Sequence, residues 1–289
     1  LIHIDKPLLR VAQLAIHLDR DVNDGLKLDR QAHLVPIWGL GETEEGAFRS
    51  FLATELGVND TEVLSWDMMC HDLTPSSPLG RNEEFYAAPR IDNLASCHAA
   101  LEALRDIESV ASNTISAVVL FDHEEIGSES STGARGPMLS HALERIAGTR
   151  AVSREQFLRS LSRSACISAD GAHAVHPNYV DRHEPGHQVV LNGGPVIKLN
   201  ANVRYATDAE SSAVAQSACR SAGVPFQQYA HRSNLPCGST IGPITASQLG
   251  MLVVDIGSPQ LSMHSAREMA GASDPAYLTA ALKAFLSDG

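Results

Sequence analysis

Positive charge is scarce in this sequence: its 289 residues include 22 Lys and Arg against 34 Asp and Glu, for a formal net charge of -12. Nucleic acids and anionic membranes are bound through basic surfaces, so we predict neither as a partner. An acidic ligand would need a local cation on such a protein. The sequence also lacks an apolar run of the roughly 18 residues that cross a bilayer, and it lacks a basic and apolar leader. These absences predict a soluble, cytoplasmic protein.

Closely spaced cysteine pairs are missing as well. The cysteines are odd in number and far apart, and none forms a C-x-x-C pair: Cys70, Cys97, Cys166, Cys219 and Cys237. Disulfide frameworks and cysteine metal sites depend on paired spacings. We therefore predict free, buried thiols in a reducing compartment.

The length of the chain suits one large domain or two unequal ones. The strongest loop signal is the Pro-Ser-Ser-Pro-Leu-Gly-Arg-Asn segment at residues 75–82, and we place a domain boundary there. The predicted domains cover residues 1–85, with a helix over residues 44–57, and residues 86–289. Because the chain opens at Leu1 in apolar residues without Met, we expect it to be an internal part of a longer protein.

Predicted strands alternate with predicted helices in the larger domain, which is typical of an α/β fold. A helix begins near Asp92 and Asn93, which suit its N-cap. One face of this helix carries Leu94, Cys97, Leu101 and Leu104. Further helices are predicted over residues 137–147, 209–222 and 275–287, and strands over residues 115–121, 165–168, 195–200 and 251–255.

An acidic segment after one predicted strand is the feature around which we interpret the rest of the chain. The apolar run 115–121 ends directly in Asp122-His123-Glu124-Glu125. Adjacent carboxylates at the end of a buried strand repel each other and lose hydration, so they need a cation or a proton relay. We expect a locally extended backbone that turns Glu124 and Glu125 to opposite sides. The segment is interpreted as a metal site with a general base, and a solvated acidic turn is the simpler alternative.

Other acids and one histidine follow other predicted elements. Asp92 lies where a helix begins, Asp170 follows the apolar run 165–167, and His264 comes after the strand at 251–255. Ligands of open α/β sheets gather beyond the ends of the strands, so these residues predict metal ions at one sheet edge. Carboxylates with histidine suit paired zinc ions, or manganese or cobalt. Taken singly, each acid is better explained as a helix cap, an ion pair or a surface residue, and only for Asp92 are the two explanations balanced.

The literal zinc-protease motif in the chain is not expected to bind metal. His183-Glu184-Pro185-Gly186-His187 matches H-E-x-x-H, which functions because a helix places both histidines on one face. Pro185 removes a helical hydrogen bond and clashes with the preceding turn, at a cost of about 3 kcal/mol or more. We therefore predict that this segment is a loop.

Six segments of the chain resemble the aspartyl aminopeptidase family of metallopeptidases and occur in family order over essentially the whole chain. They are Arg90–Leu94 (RIDNL), Asp122–Ser128 (DHEEIGS), Ser168–Tyr179 (SADGAHAVHPNY), Gly194–Lys198 (GPVIK), Cys237–Ile244 (CGSTIGPI) and Met263–Glu268 (MHSARE). The resemblance implies a phosphorylase-like zinc exopeptidase core with a central mixed sheet flanked by helices. It also implies that the smaller domain is a lid or dimerisation domain and that the protein is a homo-oligomer, a dodecamer.

Carried over position by position, the resemblance implies two divalent metal ions, zinc or alternatively manganese or cobalt. Asp92 would bridge the two ions, Glu125 and His264 would complete one site, and Asp170 would bind the other. Glu124 would be the general base for a metal-activated water. A further histidine ligand of the ion held by Asp170 is expected upstream of Leu1.

The resemblance also implies removal of N-terminal Asp or Glu from peptides. Lys198, with His173 and Tyr205 nearby, would bind the acidic side chain, although a lysine that protects a strand edge is an alternative. His17 would enter a neighbouring subunit's active site and help to hold the substrate carbonyl; the local sequence by itself predicts a buried core histidine. A catalytically silent assembly or binding subunit with an incomplete metal site is the alternative function.

Overall fold

The computed structural model describes residues 1–41 and 44–288 and divides the chain into two compact units. The first unit is Leu1–Thr74 and the second begins at Pro75. The division therefore falls at the start of the predicted boundary loop. Two short strands that precede residue 89 belong to the second unit because they pair with its sheet. A lid or dimerisation role for the first unit stays a prediction.

The first unit has a small apolar core around one helix. It contains α1 (Arg30–His33), α2 (Ala47–Leu56) and a 3-10 turn at Asp60–Glu62. Leu52, Ala53 and Val63 are buried, and Phe48 and Phe51 pack against them. The helix predicted over residues 44–57 is thus confirmed with shorter bounds.

The prediction that His17 is a buried core residue is wrong. Its side chain is exposed, and the neighbouring Ile16 and Leu18 are 44% and 75% exposed. The segment belongs to no helix or strand and has no regular hydrogen-bonded surface to place these side chains against the small core of the unit. Apolar neighbours in sequence were therefore a poor guide to burial here.

The second unit is a mixed α/β structure, as predicted. Its strands are β1 (Ser77–Leu79), β2 (Phe85–Ala88), β3 (Ala165–His173), β4 (Val196–Leu199), β5 (Gln227–Ala230), β6 (Leu252–Leu261) and β7 (Glu268–Gly271). Its helices are α3 (Ile91–Arg105), α4 (Met138–Thr149), α5 (Arg154–Leu161), α6 (Ala209–Ser221), α7 (Gly242–Leu249) and α8 (Asp274–Asp288), with 3-10 turns at Glu124–Ile126 and Val180–Arg182.

The strands form one mixed sheet organised around β6. The order is β1-β2-β7-β6-β4-β5, and β3 pairs with β6 in addition. The β3–β6 and β4–β5 pairs are parallel, while β6 is antiparallel to β4 and to β7. β6 is buried along nearly all its length, as expected for a strand covered on both faces.

The main core lies between this sheet and three helices. Ile197, Val254 and Ile256 from the central strands meet Leu278 and Leu282 of α8. α3 and α6 contribute mainly small residues, Ala99, Ala103 and Ala215, which allow the helix backbones to approach the core closely. The exposed face of α3 carries Leu94, Leu101 and Leu104, which are 56%, 48% and 36% exposed. The buried face of this helix is therefore formed by small side chains and not by the leucines.

Most predicted helices and strands are present, but one strand is not. Helices predicted over residues 137–147, 209–222 and 275–287 correspond to α4, α6 and α8, and the last three predicted strands correspond to β3, β4 and β6. Residues 115–121 form no strand and pair with none of the described strands. Ile115, Val119 and Leu120 are 56%, 37% and 47% exposed. Strand-forming composition was not sufficient here because a strand also requires a hydrogen-bonded neighbour.

Two sequence-based expectations about solvent and redox chemistry can be compared with the described residues. No helix among them is long and apolar enough to cross a bilayer. All five cysteines are free, as predicted. The prediction that every thiol is buried is wrong. Cys219 is buried, Cys70 is exposed, and the other three cysteines are intermediate.

Candidate functional site

Asp92, Glu125 and His264 converge at one place and are named here the carboxylate cluster. One ligand atom from each lies within 4.8 Å of the others. His264 Nε2 is 3.0 Å from Asp92 Oδ2 and 3.1 Å from Glu125 Oε2. Two carboxylates and an imidazole around one point form a donor set that binds zinc and other divalent ions. The structure thus brings together three of the residues that the sequence singled out.

Each of the three segments that bear the cluster contains a residue in the left-handed region. Arg90, His123 and His264 have φ angles of +58°, +62° and +64°. Such a conformation in a non-glycine residue costs roughly 1–3 kcal/mol and persists where the surroundings enforce it. Asp92 itself has non-helical backbone angles within the first turn of α3. The chain is bent at these points, and the bends turn side chains toward the cluster. A regular helix or strand would direct the same side chains elsewhere.

Glu268 ties two of these segments together, and sequence reasoning gave it no role. Its side chain is 2% exposed. Glu268 Oε2 accepts a hydrogen bond from the Asp92 backbone N–H at 2.9 Å, and Oε1 accepts one from the His264 backbone N–H at 2.7 Å. One carboxylate at the start of β7 therefore fixes the spacing between Asp92 and His264. The only sequence signal was its place four residues after His264 in a segment that resembles the family.

Asp170 lies beside Asp92 but is directed toward Lys198. It lies inside β3, which extends to His173, and not after the strand as predicted. Its Oδ2 accepts a charge-assisted hydrogen bond from Lys198 Nζ at 3.0 Å. Burial opposes ionisation of Asp170, but the Lys198 ammonium and the hydrogen bonds to Asp170 together outweigh burial and lower the pKa of Asp170. Asp170 is not part of the three-residue carboxylate cluster.

The negative charge of Asp92 is not fully compensated, because other acidic groups lie close to it. Burial, followed by the nearby Asp170 carboxylate, raises the pKa of Asp92. Asp92 Oδ1 is buried and has no hydrogen-bond partner among the described residues. Gly171 permits this packing, because a Cβ there would lie 3.1 Å from Asp92 Oδ1. A buried carboxylate oxygen without a donor, next to further acids and an imidazole, fits a divalent cation.

Glu124 and Glu125 leave the chain in different directions, although not for the expected reason. They lie in a 3-10 turn, Glu124–Ile126, and not in an extended segment. Successive side chains in a 3-10 helix point about 120° apart. Glu125 therefore reaches His264 while Glu124 is half-buried beside it. Burial and then the charges of Asp170 and Glu125 raise the pKa of Glu124 to about 7.

A second group, named here the Lys198 cluster, comprises Lys198, Tyr205, Tyr229 and His173. Lys198 is 3% exposed and its Nζ lies 5.3 Å from the centroid of the Tyr205 ring. The Tyr229 ring lies 6.5 Å from that of Tyr205 and 6.1 Å from that of His173. Because β4 lies between β6 and β5, Lys198 does not protect a sheet edge, and that alternative is wrong.

Lys198 is the cation of its cluster, because the neighbouring His173 and Tyr229 are uncharged near neutral pH. Burial and then the neighbouring Lys198 ammonium lower the pKa of His173 to about 4, so its imidazole is neutral near pH 7. Burial raises the pKa of Tyr229 to about 12, so its hydroxyl keeps its proton. The group can therefore present one ammonium with neutral hydrogen-bonding rings, which suits an anion.

Two further predictions from the sequence concern His17 and the His183–His187 segment. His17 belongs to the first unit and is exposed. The His183–His187 segment follows a 3-10 turn and contains no helix, so the prediction of a loop is confirmed. Its Glu184 and His187 side chains instead pair with each other.

Comparison with known proteins gives the same family from sequence and from structure. The family model described as aminopeptidase I zinc metalloprotease (M18) matches residues 1–286. A protein of Streptomyces coelicolor called probable M18 family aminopeptidase 2 is 50% identical over 290 residues, which cover 99% of this chain and 67% of that protein.

Two solved structures illustrate the similarity of fold. A cryo-EM structure of a complex of Ape4 and Nbr1 matches 99% of this chain and 59% of the compared chain, with a TM-score of 0.91 and 36% identity. A structure of the S. cerevisiae mApe1 dodecamer matches 96% of this chain and 62% of the compared chain, with a TM-score of 0.79 and 27% identity. This chain thus spans about two thirds of the curated relative and about three fifths of these solved chains.

Proposed function

This chain belongs to the aminopeptidase I zinc metalloprotease (M18) family, and from that premise we propose that it is a metalloaminopeptidase that removes N-terminal Asp or Glu from peptides. The observation that carries the proposal is the convergence of Asp92, Glu125 and His264, with the buried Lys198 paired to Asp170, which acts electrostatically on Asp92. Peptide-bond hydrolysis and recognition of an acidic side chain would thus use adjacent parts of one sheet.

We assign Asp92, Glu125, His264 and Asp170 as the residues that would hold two divalent ions, and Asp92 would occupy a position shared by both. Divalent ions held there would polarise the peptide carbonyl and activate water for attack. Asp92 suits the shared position because its Oδ2 faces His264 while its buried Oδ1 lies beside Gly171, next to Asp170. Glu268 would hold the Asp92 and His264 segments at the spacing that the ions require.

Glu124 is assigned as the general base and acid. It occupies the same 3-10 turn as Glu125 but projects in another direction, so one glutamate can bind metal while the other stays free. Glu124 would take a proton from the attacking water and deliver it to the departing amine. Two neighbouring glutamates would then have different roles because of the geometry of a single turn.

Lys198 is assigned to the acidic side chain of the substrate, with His173 and Tyr205 beside it. A buried ammonium against an aromatic ring binds a carboxylate more strongly than it would in water. The protein as a whole carries a net charge of -12, so this local cation is the feature that favours an acidic peptide.

The assembly is proposed to be a homododecamer, as in the S. cerevisiae mApe1 structure. In that assembly we expect His17, which is exposed in the first unit, to reach a neighbouring subunit's active site and contact the substrate carbonyl. The mass of the native particle tests the number of subunits. A His17→Ala variant that keeps both the assembly and full activity would contradict the role of His17.

The test of the proposed function is metal content per chain together with hydrolysis of Asp-anilide and Leu-anilide substrates. We expect bound divalent metal and faster cleavage of the Asp substrate, with both activities removed by a chelator. The silent-subunit alternative predicts no turnover with any divalent ion. Cleavage of Leu-anilide as fast as Asp-anilide would retain the metallopeptidase chemistry but reject the acidic preference.

A further inference from the structure

His231 has a hydrogen-bonding atom that no contact within the described chain uses. The residue follows directly after β5, and its Nδ1 lies 2.6 Å from the Tyr229 hydroxyl. Its other ring nitrogen, Nε2, is buried and has no hydrogen-bond partner among the described residues. Buried polar atoms are nearly always paired, so an unpaired one calls for a ligand or a bound water.

The surroundings of His231 are those of the Lys198 cluster. The His231 ring lies 6.0 Å from the ring of Tyr229, which in turn lies 6.1 Å from His173. Tyr229 is the register partner of Lys198 in the parallel β4–β5 pair. His231, two residues beyond Tyr229, therefore extends the same cluster toward the carboxyl ends of these strands.

The hydrogen bond between the Tyr229 hydroxyl and Nδ1 links the tautomer of His231 to the role of its Nε2. Tyr229 keeps its proton near neutral pH, so its hydroxyl can donate to Nδ1 of a neutral imidazole. In that tautomer the ring proton is on Nε2, which makes the unpaired atom a donor. The cluster then presents an imidazole N–H together with a lysine ammonium that has further protons to donate besides the one bonded to Asp170, and both are donors suited to a carboxylate.

We propose that His231 is a specificity-determining residue that donates a hydrogen bond from Nε2 to the side-chain carboxylate of an N-terminal Asp or Glu. The inference rests on the proposed function, because it adds a second donor to the acidic subsite assigned there to Lys198. His231 does not touch the carboxylate cluster, and it takes no part in the proton transfers assigned to Glu124.

The test compares His231→Leu with His231→Gln in the intact protein. Leucine removes the donor, whereas the glutamine amide can place an N–H near the position of Nε2. His141→Leu is the control, because His141 is an exposed histidine on α4. The readouts are kcat and KM for Asp-anilide and Leu-anilide, with the midpoint of thermal unfolding for each variant.

We expect His231→Leu to lower the Asp-to-Leu ratio of kcat/KM about tenfold, mostly through KM for the Asp substrate, because it removes a hydrogen bond to a charged group. His231→Gln should recover most of that ratio, and the control should match wild type. A purely structural role would lower activity on both substrates together, and that result would overturn the proposal.

The role of His231 and the proposed function can be rejected separately. A wild-type enzyme that prefers Asp-anilide, with an unchanged preference in His231→Leu, would overturn the role of His231 and leave the proposed function intact. A wild-type enzyme without any acidic preference would overturn both the acidic specificity and the donor role of His231.

Discussion

The carboxylate cluster and the Lys198 cluster lie next to each other and differ in their balance of charge. In the carboxylate cluster, negative groups outnumber their partners, and His264 and Glu125 are 61% and 54% exposed at the side chain. In the Lys198 cluster, the cation is buried and already paired with Asp170. The first group is incomplete without a cation, whereas the cation of the second group is already paired within the protein.

This contrast explains why the two groups suit different parts of one reaction. An open set of acids can exchange metal and water, and its uncompensated charge supplies the driving force for metal binding. A buried ammonium among aromatic rings is held rigidly and can distinguish an acidic side chain from a neutral one. Asp170 is paired with Lys198 and also acts electrostatically on Asp92, so metal binding and substrate preference are expected to be coupled through this residue.

The largest effect is expected from changing either of the two neighbouring glutamates, which should differ in whether metal is retained. Glu124→Gln should retain metal and lower kcat by roughly 10²- to 10⁴-fold, since it removes a general base. Glu125→Gln should lose metal as well as activity, because Glu125 faces His264 within the carboxylate cluster. Metal analysis of the purified variants together with steady-state kinetics checks this division. Normal metal content in both variants would show that the assignment of the two roles is wrong.

Changing the buried cation should affect preference more than chemistry. We expect Lys198→Met to lower kcat/KM for Asp-anilide by about 100-fold, because a carboxylate would lose its buried ionic partner. Activity on Leu-anilide and the metal content should change much less. Lys27→Met, at an exposed position in the first unit, is the matched control. An Asp-to-Leu ratio that stays at the wild-type value would separate Lys198 from substrate recognition.

The elements of this fold could be predicted from sequence where the signal is local. The helix at α6 was predicted within one residue, and in the structure its start has a local cause: the Asp208 side chain accepts a hydrogen bond from the Ser211 N–H. The strand predicted at residues 115–121 was wrong, because the pairing of a strand depends on residues far away in sequence. β3 shows the reverse case: its pairing with β6 extends the strand to His173, well beyond the predicted end at residue 168.

The candidate site could be predicted in part, through residues whose chemistry is unusual at their position. Asp92 stood out at the start of a predicted helix, Glu125 and His264 stood out after predicted strands, and the family resemblance implied their roles as ligands. Glu268 did not stand out, since its role consists of two bonds to backbone N–H groups that no side-chain pattern reveals. His231 was missed for a similar reason, because only the structure shows that its Nε2 lacks a partner.

Loosening the support of the carboxylate cluster should have an intermediate effect. In Glu268→Gln one acceptor oxygen is replaced by an amide donor, which would face a backbone N–H of Asp92 or His264. We expect metal affinity to fall about 10- to 100-fold, as for other residues that orient metal ligands. Metal titration of the apoprotein measures this, with the exposed Glu210→Gln as the control. Wild-type affinity in Glu268→Gln would mean that the spacing of Asp92 and His264 is fixed by other contacts.

The smallest effect is expected from a single hydroxyl in the Lys198 cluster. Tyr229→Phe removes the hydrogen bond to His231 Nδ1 but keeps the ring that packs against Tyr205 and His173. A neutral hydrogen bond contributes about 1 kcal/mol, which corresponds to a few-fold change in KM for Asp-anilide. Leu-anilide kinetics should stay at the wild-type value, because the carboxylate cluster is untouched. Since the hydroxyl acts only by fixing the His231 tautomer, combining Tyr229→Phe with His231→Leu should add almost nothing to the single His231 change. Additive effects in the double variant would instead mean that Tyr229 contacts the substrate independently of His231.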